Sequence, residues 1–251
     1  MTFQTNFMKK LFLLSLLMIT SLCLSQSSAE DIINNIIDNQ RGGQTGSSTI
    51  SMQVIKPNKT TEFVIESLSD GDESSLIEVV APAKDAGQAF LTVGDNLWIY
   101  NPRLKRTLRL PPSGRSDSFL GSDISYNDLG GRDLATDYTA SITEETAEEI
   151  TLELIPDELA PTPYGKVVII AETTTFAPLE QTFYDQRDQA VRRISFDNFV
   201  EVGEFNFPTF IEVENLLREG EKTIIEISDY DFGIDIPANC FQQQVLERGC
   251  Q

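Results

Sequence analysis

Several segments of this 251-residue chain are apolar on both faces of an extended strand, and that limits the fold more than any other feature. Leu97 and Ile99 point one way while Trp98 and Tyr100 point the other. Residues 167–170 are an unbroken Val-Val-Ile-Ile run, and Phe205 and Phe207 are followed at once by Phe210 and Ile211. A strand that is apolar on both sides must be covered on both sides. Helices would serve, but the sequence offers too few of them. Three arrangements remain: a closed barrel with a filled interior, a two-sheet sandwich, or an open curved sheet around an apolar hollow. In the third, the hollow is a binding site, because an empty patch of that size is unfavourable in water.

One strong helical pattern stands out. In residues 30–40 the isoleucines at 32, 33, 36 and 37 share a stripe, acids occupy the first turn, and Gly42-Gly43 end it. From Ile50 onward the period changes to two. Strand-like runs, broken by turns such as Asp70-Gly71-Asp72 and Gly94-Asp95-Asn96, continue to Tyr230. Residues 113–136 interrupt them with a polar, glycine-rich stretch that reads as a long ordered loop with one or two helical turns. Residues 238–247 read as a last helical turn. The expectation is a mainly β (α+β) fold of about eleven strands in an antiparallel meander, forming one domain over residues 30–251.

Residues 1–29 have the form of an export signal. Lys9 and Lys10 precede the apolar run Leu11–Leu24, and Ser27-Ser28-Ala29 supplies small residues for cleavage near Ala29. The run is short for a membrane span. Cys23 follows Leu22, a poor context for lipid attachment. Cys240 and Cys250 remain in the exported chain, and in an oxidising compartment they are expected to form a disulfide.

The formal charge is -20, which argues against nucleic acid or an anionic membrane surface as a partner and favours a monomer. The chain has no histidine, which removes His-based catalysis and His-based metal sites. There is no phosphate-binding glycine loop, and no pair among the 39 acids is marked out for hydrolysis. Asp70-Gly71-Asp72-Glu73 lacks the ligand spacing of a calcium loop and reads as a hairpin turn. The expectation is a binding protein without catalytic residues, cofactor or metal.

Residues 94–102, GDNLWIYNP, resemble a strand signature of the LolA family, periplasmic carriers of outer-membrane lipoproteins. Residues 104–129, LKRTLRLPPSGRSDSFLGSDISYNDL, are similar to the outer membrane lipoprotein-sorting branch of that superfamily. The family loop motif falls on Ser118, Phe119, Gly121, Ser122, Asp123, Tyr126 and Asp128, with Ile124 where the family has an aromatic and Asn127 where it has an acid. Residues 85–91, 207–215 and 241–248 add support, while the Cys240/Cys250 pair is foreign to the pattern.

The resemblance implies an incomplete, half-open antiparallel barrel with short helices covering its mouth. It also implies a periplasmic carrier that shields acyl chains of lipoproteins or lipids in outer-membrane biogenesis, working with an inner-membrane transporter of the RND type. The alternative function is a periplasmic sensing module of the same fold that regulates a protein partner. On this reading Trp98, Tyr100, Phe90, Met52, Phe63 and Phe183 line the cavity and Ile36 and Ile37 help close it. Trp98 alone fits a core position as well. Arg103, Arg106, Arg109 and Arg115 either form a polar rim for a head group or partner, or pair with the loop acids Asp117, Asp123 and Asp128.

Overall fold

The computed structural model describes residues 27–129, 134–160 and 162–250. The basic and apolar parts of the expected export signal, with Cys23, lie outside them.

Helix α1 spans Ala29–Arg41. Ser28 caps it: the Ser28 hydroxyl accepts from the Asp31 amide at 3.1 Å, and the Asp31 carboxylate accepts from the Ser28 amide at 3.1 Å. Cleavage directly after Ala29 would remove this cap. Ile32, Ile33, Ile36 and Ile37 are buried along one stripe. The helix ends on Gly42 in the left-handed region at φ 76, where a Cβ would come within 2.7 Å of the Phe232 ring.

Thirteen strands follow, two more than expected: β1 Gly46–Lys56, β2 Lys59–Ser69, β3 Ser74–Ala81, β4 Ala89–Val93, β5 Asn96–Asn101, β6 Arg106–Arg109, β7 Tyr138–Glu145, β8 Glu149–Pro156, β9 Lys166–Glu172, β10 Pro178–Tyr184, β11 Ala190–Val202, β12 Phe205–Asn215 and β13 Lys222–Phe232. They form one antiparallel sheet in the order β6-β5-β4-β3-β2-β1-β13-β12-β11-β10-β9-β8-β7. Two meanders thus meet at β1 and β13, and β6 and β7 are free edges. Val79 on β3 and Leu152 on β8 belong to the same buried cluster as α1, so the sheet curls around its inner face without closing.

Two departures from regular pairing shape the interior. Between edges β6 and β7 the described residues 110–129 and 134–137 form short 3-10 turns at Pro112–Gly114, Phe119–Gly121 and Tyr126–Leu129 and a helical turn α2 at Leu134–Asp137. Phe119 and Ile124 of this crossing join the inner core, so the expected loop is part of the packed interior. The second departure is at Pro208. β12 pairs with β13 only over Phe210–Glu214, and the Pro208 half of the strand splays away from β13. Proline has no amide to donate there. The Asn39 side chain of α1 accepts the amide of Asn206 and donates to the carbonyl of Thr175 at 3.0 Å, anchoring the helix over this gap.

The C-terminal segment lies on the outer face. A 3-10 turn at Ala238–Phe241 and helix α3 at Val245–Arg248 pack on β4 and β5, and the Cys240–Cys250 disulfide ties them together. Among the described residues no helix is long and apolar enough to cross a membrane.

Candidate ligand-binding hollow

Strand register places Phe196, Ile211, Ile225, Met52 and Phe63 in one cross-strand row on the inner face of β11, β12, β13, β1 and β2. The row divides in two. Met52 and Phe63 are 1% and 4% exposed and packed solid. Phe196, Ile211 and Ile225 are only half-buried, and they wall a cavity of about 520 Å³. Ile50 and Ile227, paired across β1 and β13, extend that wall, and Phe207, Phe232 and Ile37 continue it toward the mouth. The volume falls within the usual range for small-ligand pockets, roughly 300–1,000 Å³.

The crossing segment forms the opposite wall. Phe119 packs edge-on to Phe90 at 4.9 Å and against Tyr126 at 5.9 Å. Ser118 and Ser122 hold its turns: the Ser118 hydroxyl donates to the carbonyl of Ser122 at 2.5 Å, and that of Ser122 to the carbonyl of Phe119 at 2.6 Å. Gly121 sits between them in the left-handed region at φ 79. Asp123 anchors the segment to β13, its amide donating to the Thr223 hydroxyl at 3.0 Å, and Asn215 of β12 donates to its carboxylate at 3.3 Å.

The firmest anchor is one the sequence reading did not find. Arg192 of β11 donates to both Asp128 oxygens, at 2.9 and 3.0 Å, and lies 4.8 Å from the centre of the Phe183 ring. Burial alone would raise the Asp128 carboxyl, but the Arg192 guanidinium and bonds from Ser125 hold it below its usual range. Burial works against charge on Arg192 as well, and Asp128 outweighs it and raises the arginine above its ordinary value. The signal for Arg192 was available: in Arg192, Ile194, Phe196 a cation occupies an inward position of a period-two strand.

The residues expected to line the hollow take three different places. Phe183 and Ile37 face the cavity. Phe90, Met52, Phe63 and Ile36 are on the inner face but bury into the filled core. Trp98 and Tyr100 are on the other face, half-buried against Leu91, Phe241, Val245 and Leu246, so their placement in the lining is corrected. The alternation at 97–100 holds, with Leu97 and Ile99 on the inner face and Trp98 and Tyr100 on the outer. What the sequence could not show is that the C-terminal segment, some 140 residues away, covers the outer side.

Among the described residues, none of the four arginines pairs with the loop acids Asp117, Asp123 or Asp128. Arg103, Arg106 and Arg109 are exposed on the β5–β6 hairpin, where charge protects a short free edge. Arg103 donates to the Lys84 carbonyl and Arg109 to Asn96. Arg115 is buried and donates to the Asp95 carbonyl.

A second pocket, about 320 Å³, adjoins the hollow and shares Ser116, Ile124, Ser125, Tyr164 and Arg192 with it. Its other residues are mostly polar, including Lys56, Asn215, Arg218 and Glu221. Among the described residues no cluster of acids and cysteines could hold a metal ion.

A family model with the description "Uncharacterized protein" matches residues 71–248. No curated protein matches the chain. Solved structures do. A domain from Vibrio parahaemolyticus, named for outer membrane lipoprotein sorting, superposes with a TM-score of 0.77 at 23% identity, covering 88% of this chain and 98% of its own. A LolA superfamily protein from Nitrosomonas europaea gives 0.73 at 23% identity, covering 87% and 99%. A DUF1329 family protein from Desulfovibrio piger gives 0.77 at 22% identity, covering 88% and 100%. These similarities extend over most of this chain and nearly all of each of the three others.

Proposed function

This chain belongs to the LolA-like family, and from that premise we propose that it is a periplasmic carrier that holds acyl chains of lipoproteins or lipids in its hollow. The observation that carries the reading is the half-buried row Phe196–Ile211–Ile225, an apolar surface on the inner face that the protein's own side chains do not cover. Each methylene moved from water onto such a surface gains about 0.8 kcal/mol, so a chain of ten or more carbons has a strong reason to enter. The wall is aliphatic and aromatic without a rigid clamp, which suits binding followed by release. Handing an acyl chain on requires a donor and an acceptor, and an inner-membrane transporter of the RND type is the donor we propose. The role needs no bond-making step and hence no catalytic residue.

The reading is tested by gentle purification, solvent extraction and mass spectrometry of what is released, together with uptake of a fluorescent fatty acid derivative. Co-purified acyl lipids and saturable uptake are expected. Finding neither, with a stable protein partner recovered instead, would sink the carrier reading in favour of a sensing module.

A further inference from the structure

We infer that the hollow recognises an acyl ester, with its carbonyl held by Gln181 and Arg192 and the alcohol side of the ester turned into the adjoining polar pocket. The inference rests on the acyl-carrier reading and gives it a direction and a ligand chemistry.

Two inner-face rows carry it. Leu152, Ile169, Gln181, Ile194 and Val213 pair in register across β8 to β12, and Leu154, Val167, Phe183 and Arg192 run beside them across β8 to β11. An amide and a guanidinium thus stand on adjacent strands in otherwise apolar rows. Both line the hollow, at 4% and 7% exposure. Neither is satisfied: Gln181 Nε2 and Arg192 Nε have no protein partner, although the other two guanidinium nitrogens are engaged by Asp128. Buried donors are normally paired, and leaving one unpaired is costly enough to call for an explanation. A glutamine's terminal torsion is broad, so the amide can meet an acceptor in the hollow by rotating in place.

The charge of the site selects the acceptor. Asp128 already neutralises Arg192. The hollow as a whole is lined by Asp72, Glu73, Asp128 and Asp137 against Arg41 and Arg192, in a chain of formal charge -20. A free carboxylate is repelled there, whereas an uncharged carbonyl accepts from the donors at no Coulombic cost. Orientation follows from the shared wall. Arg192, Ser125 and Tyr164 line both cavities, so an ester at Arg192 has Phe196, Ile211 and Ile225 on one side for its chain. On the other side lie Lys56, Asn215 and Arg218 for its polar end.

The test is displacement of a fluorescent apolar dye from the intact exported protein by methyl laurate, dodecane and laurate. Methyl laurate is expected to displace the dye at about tenfold lower concentration than either of the others. Gln181→Met, close in shape, is expected to weaken methyl laurate by about five- to tenfold, the worth of one hydrogen bond, and to leave dodecane unchanged. Equal displacement by ester and alkane overturns the inference and leaves the carrier reading standing; laurate outcompeting the ester overturns the neutral-site argument. If none of the three displaces the dye, the carrier reading itself fails. A diacylglyceryl-cysteine peptide and dilauroyl phosphatidylglycerol then identify the source of the ester. Weakening of either by Gln181→Met supports the site, and weakening of neither overturns it.

Discussion

Two apolar rows on the same sheet meet different fates. On the outer face Leu76, Leu91 and Trp98 pair across β3, β4 and β5 and are covered by Phe241, Val245 and Leu246 of the C-terminal segment. On the inner face the row from Phe63 to Phe196 is covered at one end only, and its far end walls the hollow. The two rows are built from the same residue types at the same spacing. What separates them is the cover, and each cover comes from a segment distant in sequence. Alternation therefore reports that a face is apolar, but not whether protein or guest fills the space beyond it.

The largest effect should come from weakening the covered row. Leu91 is 0% exposed. Leu91→Ala is expected to cost about 3–4 kcal/mol in urea denaturation, through lost burial and the cavity it leaves. Uptake of a fluorescent fatty acid derivative should not change. Ile211→Ala, at a half-buried wall position, should cost only about 1 kcal/mol and weaken uptake instead. If Leu91→Ala disturbs uptake as much as Ile211→Ala does, the two rows are not separate and the comparison fails.

The next largest effect concerns the outer cover itself. The Cys240–Cys250 bridge closes a loop with a sequence separation of 10. Loop-closure entropy assigns such a bridge about 2–3 kcal/mol. Cys240→Ser should lower stability by that order and loosen Phe241 and Leu246 from Trp98, the chain's single tryptophan. Red-shifted tryptophan emission with unaltered uptake is expected. Quenching of Trp98 by a brominated acyl chain would place the ligand on the outer face and contradict the assignment.

The same contrast explains what was legible in the sequence. The isoleucine stripe of α1 and the period-two strands follow from neighbours within a few residues, so their existence and faces could be read. Each of the thirteen strands falls in a run that reads as extended in the sequence, β6 within Leu104–Leu110 and β12 over Thr209–Leu217 included, and only the tally of about eleven is low. The family-like loop around Ser118–Asp128 was legible as a motif, but its anchors were not. Asp128 meets Arg192 across 64 residues and Asp123 meets Thr223 across 100. Pairing the loop acids with the nearby Arg103–Arg115 cluster was the local solution. The structure uses distant partners because the segment must span from one free edge to the other.

The Asp128–Arg192 pair gives a smaller expected effect than Leu91 or the disulfide, and it bears on the hollow rather than on the outer cover. The Asp128 carboxyl is held below its ordinary 3.8, so the folded protein binds fewer protons there than the unfolded chain does. A group depressed in this way contributes stability that is present above the unfolded value and lost as pH falls through the folded one. Asp31, held low by Ser28, and Asp185, held low by the Gln189 amide, act in the same direction elsewhere in the molecule. The slope of wild type alone is therefore not diagnostic, and the measurement is the difference between wild type and Asp128→Asn. The Asp128 side chain is 28% exposed, so water moderates the loss, and the variant should be about 1–2 kcal/mol less stable at pH 7. That gap should narrow as pH drops below about 4, where wild type also loses the charge. Over the same range bound acyl probe should be released before Trp98 emission shifts, since the crossing segment is pinned by this carboxylate and the outer cover is not. A gap that stays constant from pH 7 to 3 would mean that the pair does not fasten the segment over the hollow.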